Sequence, residues 1–165
     1  MTDQFNNRVQ VLNPEGENIL TFGEPGSGPG QFIQPIDLEV DEFENIYVAD
    51  SINSRIQVFD KDGKFLSEFG EAAAGRPPQL GEPSPYGNPL DLTPGTFNWT
   101  AGTYYDPKDK ELYVGDFFQG RVQVLDVEQV PEPSSVLGLA VLGVGAAGTL
   151  IRKNRRNKRA VNVTK

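Results

Sequence analysis

The 165-residue chain contains no cysteine and no histidine. The first absence excludes disulfides and thiolate metal sites, without identifying a compartment. The second removes the commonest general base and the commonest metal ligand. Any serine or cysteine triad goes with it. Acidic residues are missing after Glu132, and seven of the 15 basic residues lie at or after Arg152. That leaves 8 basic against 23 acidic residues in the body, a net −15, and +7 in the tail. A body this acidic repels phosphate backbones, so nucleic acid is not an expected partner. The basic tail can attract anionic lipid or nucleic acid. Plain solubility is the simplest meaning of the acidic surface. The opening Met1-Thr2-Asp3-Gln4-Phe5 lacks the basic region and apolar run of a signal peptide.

Glycine (18) and proline (13) are abundant, as tight turns between short strands require. One segment recurs: Asn7-Arg8-Val9-Gln10-Val11-Leu12, Ser54-Arg55-Ile56-Gln57-Val58-Phe59 and Gly120-Arg121-Val122-Gln123-Val124-Leu125. Arg8 and Arg55 are 47 residues apart, as are Phe22-Gly23 and Phe69-Gly70. Arg55 and Arg121 are 66 apart, as are Asp50 and Asp116, and Tyr47 and Tyr113. The extra residues therefore precede Tyr113. A proline-rich stretch over 71–94 fits them as a surface loop inserted between two units.

Each unit reads as antiparallel strands. Residues 36–40 alternate apolar and polar, 45–49 are more uniformly apolar, and 55–59 and 64–69 follow on either side of an Asp60-Lys61-Asp62-Gly63 turn. Four strands in 40–50 residues match one propeller blade. The first unit supplies two such strands (near 8–12 and 17–22) and the third supplies three (near 101–105, 111–115 and 121–125), nine in all. The expected fold is all-β, a partial propeller of about two to three four-stranded blades near 5–23, 28–70 and 95–126. Nine strands leave open edges. Further blades encoded upstream are the expected explanation, with an oligomer of partial propellers as the alternative.

The middle unit resembles the NHL repeat. The resemblance rests on Gly28-Pro29-Gly30-Gln31-Phe32, Pro35, Asp41, Asn45-Ile46-Tyr47-Val48-Ala49-Asp50, Asn53, Arg55-Ile56-Gln57-Val58-Phe59 and Gly63. It covers about residues 5–126. The third unit departs from it, with Gly95-Thr96-Phe97 in place of Gly30-Gln31-Phe32 and Gly115 in place of Ala49. The resemblance implies a propeller of a kind that mostly binds proteins, peptides or nucleic acid.

The C-terminal residues differ in composition. Pro131-Glu132-Pro133 precedes an uncharged stretch that carries Val136, Leu137, Leu139, Val141, Leu142, Val144, Leu150 and Ile151. Arg152, Lys153, Arg155, Arg156, Lys158 and Arg159 follow. At about 1.5 Å per residue the stretch spans roughly 24–29 Å, close to a ~30 Å hydrocarbon core. One transmembrane helix over 134–151 is expected, with the basic tail 152–165 cytoplasmic and the acidic body outside. A buried core helix is the alternative, but it would show an amphipathic pattern, and this run is apolar all round. The order over 130–159 resembles the PEP-CTERM sorting signal of bacteria. That resemblance implies export, an exosortase-type sorting protease as partner, contact with membrane lipid, and a link to extracellular polymer and biofilm.

The remaining chemistry has simple readings. Asp41, Glu42 and Glu44 suit solvated turn acids better than a calcium site. Arg8, Arg55 and Arg121, with Asp50 and Asp116, suit ion pairs or loop hydrogen bonds within each blade. Trp99, Tyr104, Tyr105, Phe117 and Phe118 divide between core and a candidate peptide- or sugar-binding face. Asn98-Trp99-Thr100 and Asn162-Val163-Thr164 match a glycosylation pattern by chance. No catalytic residue, metal or cofactor is expected. The expected function is an exported, surface-anchored scaffold for a protein, peptide or polysaccharide, not an enzyme. The remnant of a lactonase-like propeller hydrolase or lyase is the alternative, and a cytosolic tail-anchored scaffold is a third reading.

Overall fold

The computed structural model describes residues 1–73 and 93–127. The first unit holds β1 (Thr2–Asp3), a 3-10 turn (Gln4–Asn6), β2 (Arg8–Leu12) and β3 (Asn18–Phe22). A short ribbon follows, β4 (Glu24–Pro25) parallel to β5 (Gln31–Phe32). The second unit is the four-stranded antiparallel sheet β6 (Pro35–Val40), β7 (Ile46–Asp50), β8 (Arg55–Phe59) and β9 (Phe65–Phe69). A second parallel ribbon pairs β10 (Glu71–Ala72) with β11 (Thr96–Phe97). The third unit is β12 (Thr100–Asp106), β13 (Glu111–Asp116) and β14 (Arg121–Asp126).

The first unit has three strands rather than the two expected, because Thr2 and Asp3 pair with Val9 and Arg8. Ala49–Ile56 and Asp50–Arg55 pair in the same register, so β1 is the counterpart of β7. The ribbons were not expected from the sequence and they place the insertion. Glu24 pairs with Gln31, seven residues on, while Glu71 pairs with Thr96, 25 residues on. Of the 19 additional residues, 18 therefore fall between β10 and β11. Residues 71–73, at the start of the expected 71–94 loop, belong to this ribbon region.

The core lies between units, not within a sheet. Val9, Phe32, Ile46, Val48 and Phe59 fill the space between units one and two. Tyr47, Ala49, Ile56, Val58, Phe97, Tyr105, Leu112, Val114 and Leu125 fill that between units two and three. Because unit two is covered on both faces, every residue of β7 and β8 is buried, which explains the more uniformly apolar reading of β7. Each buried Ile or Val contributes ~1.5–3 kcal/mol. In β14 Val122 and Val124 stand in the register of Ile56 and Val58, yet they are 64% and 36% exposed. Among the described residues nothing covers that outer face.

Among the described residues the secondary structure is β-strand apart from the one 3-10 turn, and no helix there is long and apolar enough to cross a membrane. The helix expected over 134–151, the residues Pro131, Glu132 and Pro133, and the basic tail lie outside the described residues.

Candidate functional site

Each unit carries a polar cradle where β7-type and β8-type strands meet. In unit two, Arg55 Nε donates to Asp50 at 2.9 Å. Asn53 and Gln57 donate to the same carboxylate at 2.8 and 3.0 Å. The other oxygen of Asp50 accepts from the backbone N–H of Ile33 at 2.8 Å. The cradle then grips the ribbon through its backbone. Arg55 Nη2 donates to the carbonyls of Gly28 and Gln31 at 2.9 and 3.1 Å. Gln57 donates to the Gln31 carbonyl at 2.7 Å and accepts from the Gly30 N–H at 2.9 Å. Asn53 donates to the Gly26 carbonyl at 2.9 Å.

Unit three repeats this grip. Arg121 Nε donates to Asp116 at 2.9 Å, and its Nη2 donates to the carbonyls of Thr93 and Thr96 at 3.2 and 2.6 Å. Gln123 donates to the Thr96 carbonyl at 2.7 Å and accepts from Gly95 N–H at 2.9 Å. Asp116 accepts from Asn98 N–H at 2.8 Å. Unit one has the same frame, with Arg8 Nε donating to Asp3 at 2.8 Å and Asn6 donating to Asp3 at 2.9 Å.

The structure thus brings Arg55 to Asp50 and Arg121 to Asp116, and pairs Arg8 with Asp3. Asp3, Asn6 and the binding roles of Gln57 and Gln123 escaped the sequence reading. Their signal was the shared spacing Asp-x-x-Asn/Gln-x-Arg-x-Gln at 3–10, 50–57 and 116–123.

Burial sets the electrostatics. Asp50 is fully buried, and burial lifts its carboxyl above the usual range against the pull of the Ile33 N–H, Asn53 and Arg55. Half-buried Asp3 is lowered, chiefly by its hydrogen bond with Arg8. Tyr47 is pushed well above the usual phenol range by burial first and then by Asp41.

Asp41 is a turn acid. It accepts from the N–H groups of Phe43 and Asn45, from the Asn45 carboxamide and from the Tyr47 hydroxyl, all at 2.8–2.9 Å. Glu42 reaches unit three, where it accepts from the Tyr105 hydroxyl at 2.5 Å and pairs with Lys110. Asp60 accepts from the N–H groups of Asp62 and Lys64 and closes the expected hairpin. Among the described residues no group of three or more acids could hold a metal ion.

The aromatic group divides. Tyr105 is core and stacks on Tyr47 at 6.2 Å. Trp99, Phe117 and Phe118 cluster edge-on, Phe118 lying 5.6 Å from Trp99 and 5.0 Å from Phe117. Tyr104 packs on Tyr113 at 6.1 Å and is 59% exposed. Thr100 is fully buried and donates to the Arg55 carbonyl, so Asn98-Trp99-Thr100 is not presented as a surface acceptor.

Residues 1–71 match the model of a family described as a 6-bladed beta-propeller. Residues 129–156 match the model of the PEP-CTERM protein-sorting motif. No curated protein matches the chain. The PEP-CTERM motif implies an exported protein, membrane-anchored or surface-sorted and recognised by an exosortase. The chain therefore carries a β-propeller domain similar to that family, followed by a PEP-CTERM sorting motif.

Proposed function

We propose that the chain is an exported binding module: an NHL-type propeller portion held at a bacterial surface and offered to a protein, peptide or polysaccharide. The observation that carries this reading is the order of the two matches, a propeller over 1–71 and then a sorting motif over 129–156. Charge supports the orientation. The body carries a net −15 and the tail +7, and clustered cations beside an apolar stretch stay on the cytoplasmic side. A helix over 134–151 anchors the chain, with 152–165 inside.

Binding is favoured over catalysis by the use to which the polar groups are put. The cradles of units two and three spend their charges on the protein's own backbone, and the chain has no histidine to act as a general base. The exposed aromatics Tyr104 and Phe117 are suited to contact a ligand.

Fractionation of cells expressing the chain from its own gene tests the anchor. The full chain is expected in the membrane or surface fraction, and a chain lacking residues 131–165 in the soluble fraction. Equal sedimentation of both with the membrane would end the anchor reading.

A further inference from the structure

The loops that follow β11 and β13 depart from the repeat together. Asn98-Trp99 stands where unit two has Ile33-Gln34, and Phe118-Gln119 stands where it has Ile52-Asn53. All four of the unit-two residues are half-buried, although that unit has a neighbour on each side. These positions therefore reach solvent whatever adjoins the unit. In unit three the loops are joined by Phe118 N–H donating to the Asn98 carbonyl at 3.2 Å and Phe117 N–H donating to the Trp99 carbonyl at 3.1 Å. Unit two makes the first of these bonds with Ile52 and Ile33, also at 3.2 Å, so the frame does not require the side chains of unit three.

Packing does not account for those side chains either. Trp99 has φ +67, in the left-handed region, as Gln34 has at +54. The frame imposes that conformation, and a bulky residue adopts it at a cost of ~1–3 kcal/mol, where asparagine or glycine would suit better. Trp99 and Phe118 meet edge-on at 5.6 Å. The carboxamides differ too. Asn53 donates to the Gly26 carbonyl and to Asp50, and accepts from the Ser27 hydroxyl. In its place Gln119 is only 6% exposed, yet its side-chain oxygen is buried without a hydrogen-bond partner. The Asn98 side-chain oxygen, beside Trp99, is buried and unpartnered as well. Each such oxygen costs ~1–3 kcal/mol until something satisfies it. A turn of a carboxamide exchanges its oxygen and its nitrogen, so the pair can offer acceptors as well as donors.

We infer that Trp99 and Phe118, with the carboxamides of Asn98 and Gln119, bind a neutral sugar unit of a polysaccharide. The inference deepens the binding reading above and rests on it. Aromatic ring faces carry negative charge density that attracts the C–H groups of a sugar ring. Carboxamides match its hydroxyls, which also both donate and accept. None of the four side chains is charged, and the body carries a net −15, so an anionic polymer is repelled. A peptide is matched less well, because the main-chain groups of the two loops are already engaged. Asn98 N–H donates to Asp116, and the Asn98 and Trp99 carbonyls accept from Phe118 and Phe117. They offer a peptide backbone no open edge to pair with.

Trp99 is the one tryptophan of the chain, so tryptophan fluorescence reports on this site alone. The full chain is titrated with neutral hexasaccharides of glucose, of mannose and of galactose. At least one should give a saturable change with Kd below about 1 mM. Phe118→Ile, which installs the residue of unit two, should weaken binding about tenfold. Gln119→Leu should weaken it about fivefold. Trp99→Gln, again the residue of unit two, removes the fluorophore and is followed by calorimetry; binding should be lost. Phe5→Ala, at the place in unit one that matches Phe118, should leave binding unchanged. Urea midpoints of the variants separate loss of binding from loss of fold. No saturable change with any of the three sugars overturns the inference. So does binding that survives both Trp99→Gln and Phe118→Ile in folded protein, or that Phe5→Ala weakens as much as Phe118→Ile does. A response to a pool of uncharged hexapeptides and to no sugar overturns the sugar alone and leaves the binding reading standing, while fractionation reads the anchor separately.

Discussion

The carboxylate of Asp50 accepts four hydrogen bonds, from the Ile33 N–H, Asn53, Arg55 and Gln57, in a site with no solvent exposure. A buried ion pair owes little net stability to its charges, because both must be desolvated. Removing one partner is another matter, since it strands the other charge. Arg55→Met should therefore cost ~3–5 kcal/mol of unfolding free energy. Arg8→Met, at a partly exposed pair, should cost no more than ~1 kcal/mol. Urea denaturation of the two variants checks the contrast, and equal midpoints would contradict the assigned burial. The raised pKa of Asp50 has a defined sign. Its folded form holds a proton more tightly than the unfolded chain does, so its ionisation works against the fold as pH rises from the usual carboxylate range through the raised value. Half-buried Asp3 acts oppositely. Its contribution is present above its ordinary value of 3.8 and is lost as pH falls through the lowered one.

Strand ends show why particular elements stop where they do. Gly70 closes β9 at φ +102, and a Cβ there would stand 2.6 Å from the Phe97 ring. Gly70→Ala should destabilise by roughly 1–3 kcal/mol through overpacking and strain together. Gly120 also has positive φ, +61, but nothing lies within 4 Å of a Cβ built there. Asn7 and Ser54 hold the same position in the other units at φ 53 and 56. Gly120→Asn should therefore be close to neutral, and thermal unfolding of both variants decides the matter. The long strands were legible in the sequence because alternation and a 47-residue repeat report burial and register directly. β1 and the ribbons were not. Two-residue strands have no period to detect, and the parallel pairing of Glu71 with Thr96 spans an insertion that hides its offset. The arginine–aspartate pairs Arg55–Asp50 and Arg121–Asp116 could be read from equal spacing. For Gln57 and Gln123 the same spacing marks the positions but not the backbone grip, because a glutamine in a strand carries no mark of what it binds.

At the scale of the molecule, units join through shared cores and through ribbons clasped by the cradles. Inter-unit hydrogen bonds add to this, such as Thr103 N–H to the Asp37 carboxylate at 2.7 Å and Tyr105 to Glu42. We propose that this propeller portion is displayed at the cell surface and that the C-terminal motif puts it there. Surface labelling of intact cells, with and without their exosortase, tests this display. The propeller should be labelled in cells that have the exosortase. Labelling should be lost without the enzyme, or when Pro131, Glu132 and Pro133 are all replaced by alanine. Equal labelling in all three would contradict it.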